Sequence, residues 1–217
     1  DIDLFYILYP KIKSIVVTGS NGKSTTCKAI EHIFKNKFDV KLGGNIGKPA
    51  LSLKIKKNTI AVLEASSYHL YYSKFISPDD AILLNISNDH LDWHKTKNNY
   101  LNSKFKIFIN QKKNNNAYVN KKKFQQKYRN SKLQGNLTLV SSQSLKEIKN
   151  KIKNSFFTTS ANIENLSFIY ELSKKYNIKK KLFIRYANSF SGLEHRYESF
   201  YSKKNLKFIN DSKATNF

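Results

Sequence analysis

Apolar residues in this chain gather in short, largely unbroken runs separated by longer polar stretches. Ile15 to Thr18, Ile60 to Leu63 and Ala81 to Ile86 are the clearest, and Ala117 to Asn120 and Leu137 to Val140 continue the series. Runs without polar alternation are what strands buried on both faces of a parallel sheet require. Between them the spacing predicts helices over Lys23 to Lys35, Asn98 to Asn110 and Asn162 to Lys175. The last carries Ile163, Leu166, Ile169 and Tyr170 as one apolar stripe for packing on a sheet. Alternating strands and helices predict an α/β fold, a doubly wound and mostly parallel sheet flanked by helices. Ligands in such folds bind beyond the C-terminal ends of the strands. The residues just after each run are therefore the informative ones.

The pattern shifts near the C-terminus. Ser189-Phe190-Ser191-Gly192 interrupts the helical spacing, and Tyr197 to Tyr201 and Leu206 to Asn210 read as two strands around the turn Ser202-Lys203-Lys204-Asn205. This predicts one domain over residues 1–190 and the beginning of a second over 191–217. No internal repeat and no linker rich in Pro or Gly is visible.

The first run leads into the most telling segment, Ser14 to Thr26, S-I-V-V-T-G-S-N-G-K-S-T-T. A strand, a glycine-bearing turn and a helix opening on Lys23, Ser24 and Thr25 make a P-loop-type arrangement. Glycines let backbone N–H groups curl around an anion, and the helix directs its positive end at the same place. Lys23 would reach the β- and γ-phosphates, and the Ser24 hydroxyl would ligate Mg²⁺. The full pattern G-x-x-x-x-G-K-[ST] is not met, because Val17 stands where its first glycine belongs and the turn's other glycine is Gly19. An ordinary strand–helix turn with a chance Gly-Lys-Ser is the competing interpretation.

Charge changes the picture less than its size suggests. The 217 residues carry a formal net charge of +24, which invites a nucleic-acid or anionic-membrane partner. Yet 36 of the 39 basic residues are Lys and only 3 are Arg, alongside 25 Asn. Arg is the residue suited to bidentate phosphate and base recognition. The Lys and Asn excess, in stretches read as loops such as Lys112 to Asn116 and Lys121 to Lys123, fits an AT-rich coding bias better, so no specific nucleic-acid partner is expected. The single cysteine, Cys27, excludes an internal disulfide and fits a reducing compartment. It falls in the first turns of the helix after Lys23, where a buried structural thiol is the expectation. No apolar run nears the roughly 20 residues that span a membrane, and Asp1-Ile2-Asp3 does not open a signal peptide. A cytoplasmic protein without membrane insertion is expected. The absence of any methionine points to an excerpt of a longer chain.

Two further strand ends carry polar residues. The second run ends in Glu64, followed by Ala65-Ser66-Ser67; an acid there can hold Mg²⁺ beside a phosphate loop, or merely cap a strand. The third leads into Asn85-Ile86-Ser87-Asn88-Asp89-His90-Leu91-Asp92-Trp93-His94. Zinc through His90 and His94, a His90 loop facing a second Mg²⁺, and a plain polar turn are all compatible with that string. Lys104, one turn after Tyr100, reads by default as one solvated lysine among many.

Together these strings have a family likeness. G-S-N-G-K-S-T-T, G-G-N-I-G-K-P-A-L (Gly43 to Leu51), E-A-S-S-Y-H-L (Glu64 to Leu70), N-I-S-N-D-H-L-D-W-H, Y-L-N-S-K (Tyr100 to Lys104), G-L-E-H-R-Y-E (Gly192 to Glu198) and N-D-S-K-A-T-N (Asn210 to Asn216) occur in the order found in the Mur ligases. The chain resembles the central ATPase domain of that family with the start of its C-terminal domain. N-D-S-K-A-T-N and the serine after Lys23 favour the member that joins D-glutamate to UDP-N-acetylmuramoyl-L-alanine.

The resemblance implies an ATP- and Mg²⁺-dependent amide ligase of peptidoglycan precursor synthesis, acting through an acyl phosphate and expected as a monomer. Residues Gly19, Ser20, Asn21, Gly22, Lys23, Ser24 and Thr25 match the family's ATP-holding turn, with Lys23 its phosphate-binding lysine. Ser24 and Glu64 match ligands of a first Mg²⁺, and His90 a ligand of a second. Lys104 matches a lysine that CO₂ converts to a carbamate beside that metal. Asn45 matches a position near the nucleotide-sugar substrate, which His90 also faces. Asn162, Asn165 and Arg196 match positions around adenine and ribose, and Asp211 and Lys213 match residues that help close the site. Three departures stand out: Ser20 where the family usually has Thr, Ala161 where it has His, and Tyr68-His69 in place of Phe-Gln. Another Mur ligase, a folylpolyglutamate-type synthetase and a non-catalytic basic P-loop protein that binds nucleic acid remain the alternatives. The residues present are expected to lack ligase activity alone, since the domain that contacts D-glutamate is largely outside them.

Overall fold

Neighbouring strand ends, and therefore the site, are set by a parallel sheet in the order β2-β3-β1-β4-β5-β6. The computed structural model describes residues 1–196, 198–203 and 206–212. In chain order its first half contains α1 (Ile2–Leu8), β1 (Lys13–Thr18), α2 (Lys23–Phe34), β2 (Asp39–Gly44), β3 (Thr59–Glu64), α3 (Ser67–Tyr72) and β4 (Asp80–Leu83). Then come α4 (Leu91–His94), α5 (Lys97–Phe105), β5 (Asn116–Asn120), α6 (Lys121–Asn130) and β6 (Asn136–Val140). The described residues end with α7 (Ser160–Lys175), α8 (Lys180–Asn188) and the antiparallel hairpin β7 (Glu198–Lys203) and β8 (Leu206–Asn210).

All five pairings in the large sheet are parallel, and β1 lies between β3 and β4. From β1 the chain crosses to the edge strand β2, returns through β3 to the side of β1, and then continues on the other side with β4, β5 and β6. The loops after β1, β3 and β4 therefore emerge side by side, at the place where such sheets bind ligands. Strand residues alternate between two apolar layers. Ile15 and Val17 join α2, α7 and α8 through Cys27, Ile30, Phe34, Leu166, Phe168 and Phe183. Val16 faces the opposite layer with Phe5, Leu70, Phe105, Phe108 and Phe124. This two-sided burial is why β1, β3 and β4 read as unbroken apolar runs. At the opposite end of the sheet, fully buried Asp80 accepts hydrogen bonds from Lys175 Nζ at 2.7 Å and Tyr176 Oη at 2.7 Å, tying β4 to the end of α7.

Several predicted bounds shift. The third run was expected to continue to Ile86, but β4 stops at Leu83; Leu84 still donates to Thr18 O, and from Asn85 on the segment bonds the turn after β1 instead. The helix predicted to Asn110 ends at Phe105 and tightens into a 3₁₀ turn over Lys106–Phe108. Lys121 to Lys123, read as loop, instead opens α6. Asn120 caps that helix by accepting from the N–H groups of Lys122 and Lys123, and Phe124 and Tyr128 bury its one apolar face. The hairpin forms as expected, although its predicted first residue Tyr197 and the turn residues Lys204 and Asn205 lie outside the described residues. No helix among the described residues is long and apolar enough to cross a membrane.

Candidate functional site

Gly22 sits at the hinge between β1 and α2 with φ +84°, a left-handed conformation suited to glycine. A Cβ there would also fall 2.6 Å from the Asn165 side-chain nitrogen, so α7 packs directly on the turn. The N–H groups of the first turn of α2 have no partner four residues back, which makes them anion donors. Lys23 folds over this turn: its Nζ donates to Gly19 O at 2.9 Å and Ser20 O at 2.8 Å. Burial lowers its pKa; the Glu64 and Asp89 carboxylates oppose that shift, while Arg196 adds to it. Arg196 therefore lies within electrostatic reach of Lys23.

The turn is fastened from the β4 side. Ser20 N–H donates to Asn85 O at 3.0 Å, and Ser87 N–H to Ser20 Oγ at 2.9 Å. Asn21 N–H donates to Asn85 Oδ1 at 2.9 Å, and Asn85 Nδ2 returns a bond to Asn21 O at 3.0 Å. Ser20 Oγ lies 3.0 Å from Tyr100 Oη. Tyr100 is buried on α5, one turn before Lys104, whose ammonium stands 4.6 Å from the centre of the Tyr100 ring.

Lys104 is the surprise of this region. Far from solvated, it is 1% exposed, and its Nζ donates to the same Gly19 carbonyl at 2.9 Å. Burial first, and the neighbouring Lys23 charge second, pull its pKa down to about 7. A lysine in that range holds a large fraction of nucleophilic free amine near neutrality.

Glu64, at the end of β3, is 2% exposed. Its Oε1 accepts from Asn45 Nδ2 at 3.0 Å, and among the described residues its buried Oε2 has no hydrogen-bond partner. Gly44 allows this approach, since a Cβ there would lie 2.4 Å from the Glu64 carbonyl oxygen. A buried carboxylate with an uncompensated oxygen beside a phosphate-type turn fits a hard divalent cation. Asn45, matched to a substrate contact, here orients the carboxylate.

The remaining predicted residues divide. His90 lies on the β4–α4 loop in a left-handed conformation (φ 52°), exposed, with Nε2 3.6 Å from Asp89 Oδ2 and its ring 6.1 Å from that of Tyr100. His94 is buried against the rings of Tyr68, Tyr71, Trp93 and Tyr100, and burial lowers its pKa. The two histidines share the Tyr68 and Tyr100 rings as neighbours but differ in exposure, His90 being exposed and His94 buried. Ser24 and Thr25 take the first turn of α2, and Cys27 behind them is fully buried with its thiol pKa pushed up. Asn162 Nδ2 donates to Phe156 O at 2.9 Å, while Asn165 covers Gly22. Asp211 is exposed just beyond β8, and Lys213 lies outside the described residues.

Asn85, Ser87 and Gly44 were not singled out from the sequence. They lay within the family strings without a role of their own, at or just beyond a strand end; what they touch depends on which strands become neighbours.

Comparison with known proteins adds a second line of evidence. The family model described as the Mur ligase middle domain matches residues 17–187. The UDP-N-acetylmuramoylalanine--D-glutamate ligase of Rickettsia prowazekii (strain Madrid E) is 36% identical, aligned over 100% of this chain and 53% of its own length. The protein of that name in Leptospira interrogans serovar Lai is 35% identical, over 100% and 50%. The chain thus spans about half the length of the curated relatives it matches. Among solved structures, MurF ligase from Thermotoga maritima in complex with ADP superposes with a TM-score of 0.70 at 17% identity, covering 96% of this chain and 55% of that one. MurF from Acinetobacter baumannii gives 0.74 at 17%, covering 95% and 52%. At such identity the two structures share the fold.

Proposed function

Because this chain belongs to the Mur ligase family, we propose that it supplies the ATP-handling part of a ligase joining D-glutamate to UDP-N-acetylmuramoyl-L-alanine. The observation that carries the proposal is the convergence of Lys23 and Lys104 on the Gly19 carbonyl, with the Glu64 carboxylate close enough to act on both lysines. Residues 1–190 form the ATPase domain in this reading, and 191–217 begin the ligase domain. The protein works in the cytoplasm as a monomer, without a specific nucleic-acid partner.

In the proposed reaction the terminal alanyl carboxylate attacks the γ-phosphorus of ATP, the bond to ADP breaks, and an acyl phosphate forms. The D-glutamate nitrogen then attacks the acyl carbon; a C–N bond forms, phosphate leaves with the C–O bonding pair, and the amine gives up a proton. Lys23 and the N–H groups of the first turn of α2 offset charge on the transferring phosphoryl group. By their match to the family, Asn162, Asn165 and Arg196 would contact the adenine and ribose, and Asp211 and Lys213 would help close the site over ATP. The free amine of Lys104 adds to CO₂, forming an N–C bond and losing a proton, which replaces a cation by a carbamate anion. Ser24, Glu64, His90 and that carbamate would hold Mg²⁺, which supplies positive charge to the phosphate oxygens. Asn45 and His90 face the nucleotide-sugar substrate.

Acyl-phosphate trapping tests the reaction type. The complete gene product, given ATP, Mg²⁺ and UDP-N-acetylmuramoyl-L-alanine without D-glutamate, should yield the substrate's hydroxamate when hydroxylamine is added. ADP release without hydroxamate would remove the acyl phosphate from the mechanism.

A further inference from the structure

The segment after β4 runs alongside the phosphate loop further than strand pairing accounts for. The parallel ladder between β1 and β4 ends at the pair Thr18 and Leu83. Contact nevertheless continues: Leu84 N–H donates to Thr18 O at 3.0 Å, and Ser20 N–H to Asn85 O at 3.0 Å. At Asn85 the backbone leaves toward His90, and its side chain takes over. A carboxamide has the same acceptor and donor as a peptide group. Here Oδ1 accepts from Asn21 N–H and Nδ2 donates to Asn21 O. The side chain therefore adds one more pair of bonds to the ladder.

We propose that Asn85 is a positioning residue for the phosphate loop, its carboxamide standing in for a further strand residue and fixing the peptide groups of Asn21. The inference rests on the nucleotide-binding role proposed above. Both ends of the amide are engaged with Asn21, so Asn85 acts through the loop rather than on a ligand. Two consequences follow. The Asn21 N–H is occupied, which leaves the N–H groups at Gly22 and in the first turn of α2 to receive phosphate. The loop leading to His90 is also tied to the phosphate loop, a tie that Ser87 N–H closes at Ser20 Oγ, 2.9 Å away. Asn21 is exposed and Asn85 half-buried, so water can replace these bonds when the side chain is removed. The fold should survive that loss while the loop loosens.

The test compares the complete wild-type gene product with its Asn85→Ala and Asn85→Gln variants, the latter keeping the carboxamide but displacing it by one methylene. Binding of ADP and of adenosine is titrated for each, with thermal melting and hydrogen exchange at the Asn21 amide measured alongside. Both variants should bind ADP about tenfold more weakly, the equivalent of one to two hydrogen bonds, with adenosine affinity and melting midpoint close to wild type. Exchange at Asn21 should accelerate. ADP affinity within about twofold of wild type (well under one hydrogen bond's worth), or equal losses for ADP and adenosine, would overturn the assignment. If the complete wild-type protein itself binds no ADP, the nucleotide reading fails instead, and unchanged Asn21 exchange would still separately refute the role of Asn85.

Discussion

Lys23→Ala is expected to lower kcat/KM for ATP by about 10³-fold, the scale seen when a preorganised group facing developing charge is removed. Lys23 is bound to its own loop through Gly19 O and Ser20 O, so its ammonium is held where phosphates would arrive rather than swinging free. A second effect compounds the first. The Lys23 charge is, after burial, the main influence lowering the Lys104 pKa. Without it Lys104 takes up a proton more readily and presents less free amine to CO₂. Lys23→Arg should not restore activity, because a planar guanidinium cannot place one compact charge over two loop carbonyls. Steady-state kinetics on the complete gene product, together with ADP titration, checks this; a Lys23→Ala variant within tenfold of wild type would contradict it.

Lys104→Met should abolish turnover that depends on CO₂ and, at the same time, raise the melting temperature. A lysine 1% exposed with a pKa near 7 carries an unfavourable charge in the folded state. The sign follows from proton binding. The unfolded chain holds its Lys104 proton up to about 10.5, whereas the folded chain releases it near 7. Between those values the unfolded state binds more protons, so wild-type stability gains from rising pH. The penalty is complete below pH 7 and fades toward pH 10.5. The stability advantage of Lys104→Met should therefore be largest at pH 7 and below and shrink as pH rises. Melting curves across that range read it directly, and an advantage that grew with pH would reverse the argument. Wild-type activity should fall in CO₂-depleted buffer and return with bicarbonate, a response the variant must lack. Carbamate formation itself should increase as pH passes through 7, because the free amine is the reacting form.

How far these features could be read in advance depended on where their determinants lie. β1, β3 and β4 were legible because burial on both faces demands unbroken apolar runs. β2 was missed: Asp39, Lys41, Gly43 and Gly44 give it the composition of a loop, and it becomes a strand because β3 offers it an edge. α6 was hidden by its opening lysines, although Phe124 and Tyr128 one turn apart mark its buried face. The strand–turn–helix from β1 to α2 was visible despite the missing first glycine of the P-loop pattern, since the strand, the hinge glycine and Lys23 are contiguous. Lys104 was not legible from local pattern. Its burial beneath the Gly19 carbonyl and against Tyr100 exists only once α5 packs on the turn after β1, and the family resemblance alone had marked it out. The amide contacts of Asn45 with Glu64 and of Asn85 with Asn21 are likewise properties of neighbouring strand ends.

The central claim is that this site serves the ligation of D-glutamate. Its most direct test supplies the complete gene product with UDP-N-acetylmuramoyl-L-alanine, ATP and Mg²⁺ and offers D-glutamate, L-glutamate, L-lysine or meso-diaminopimelate in separate reactions, following ADP and the new amide together. ADP released in step with amide formation from D-glutamate, and from none of the others, is the predicted result. Turnover with a different amine, or no amide from D-glutamate while ATP is consumed, would contradict the account.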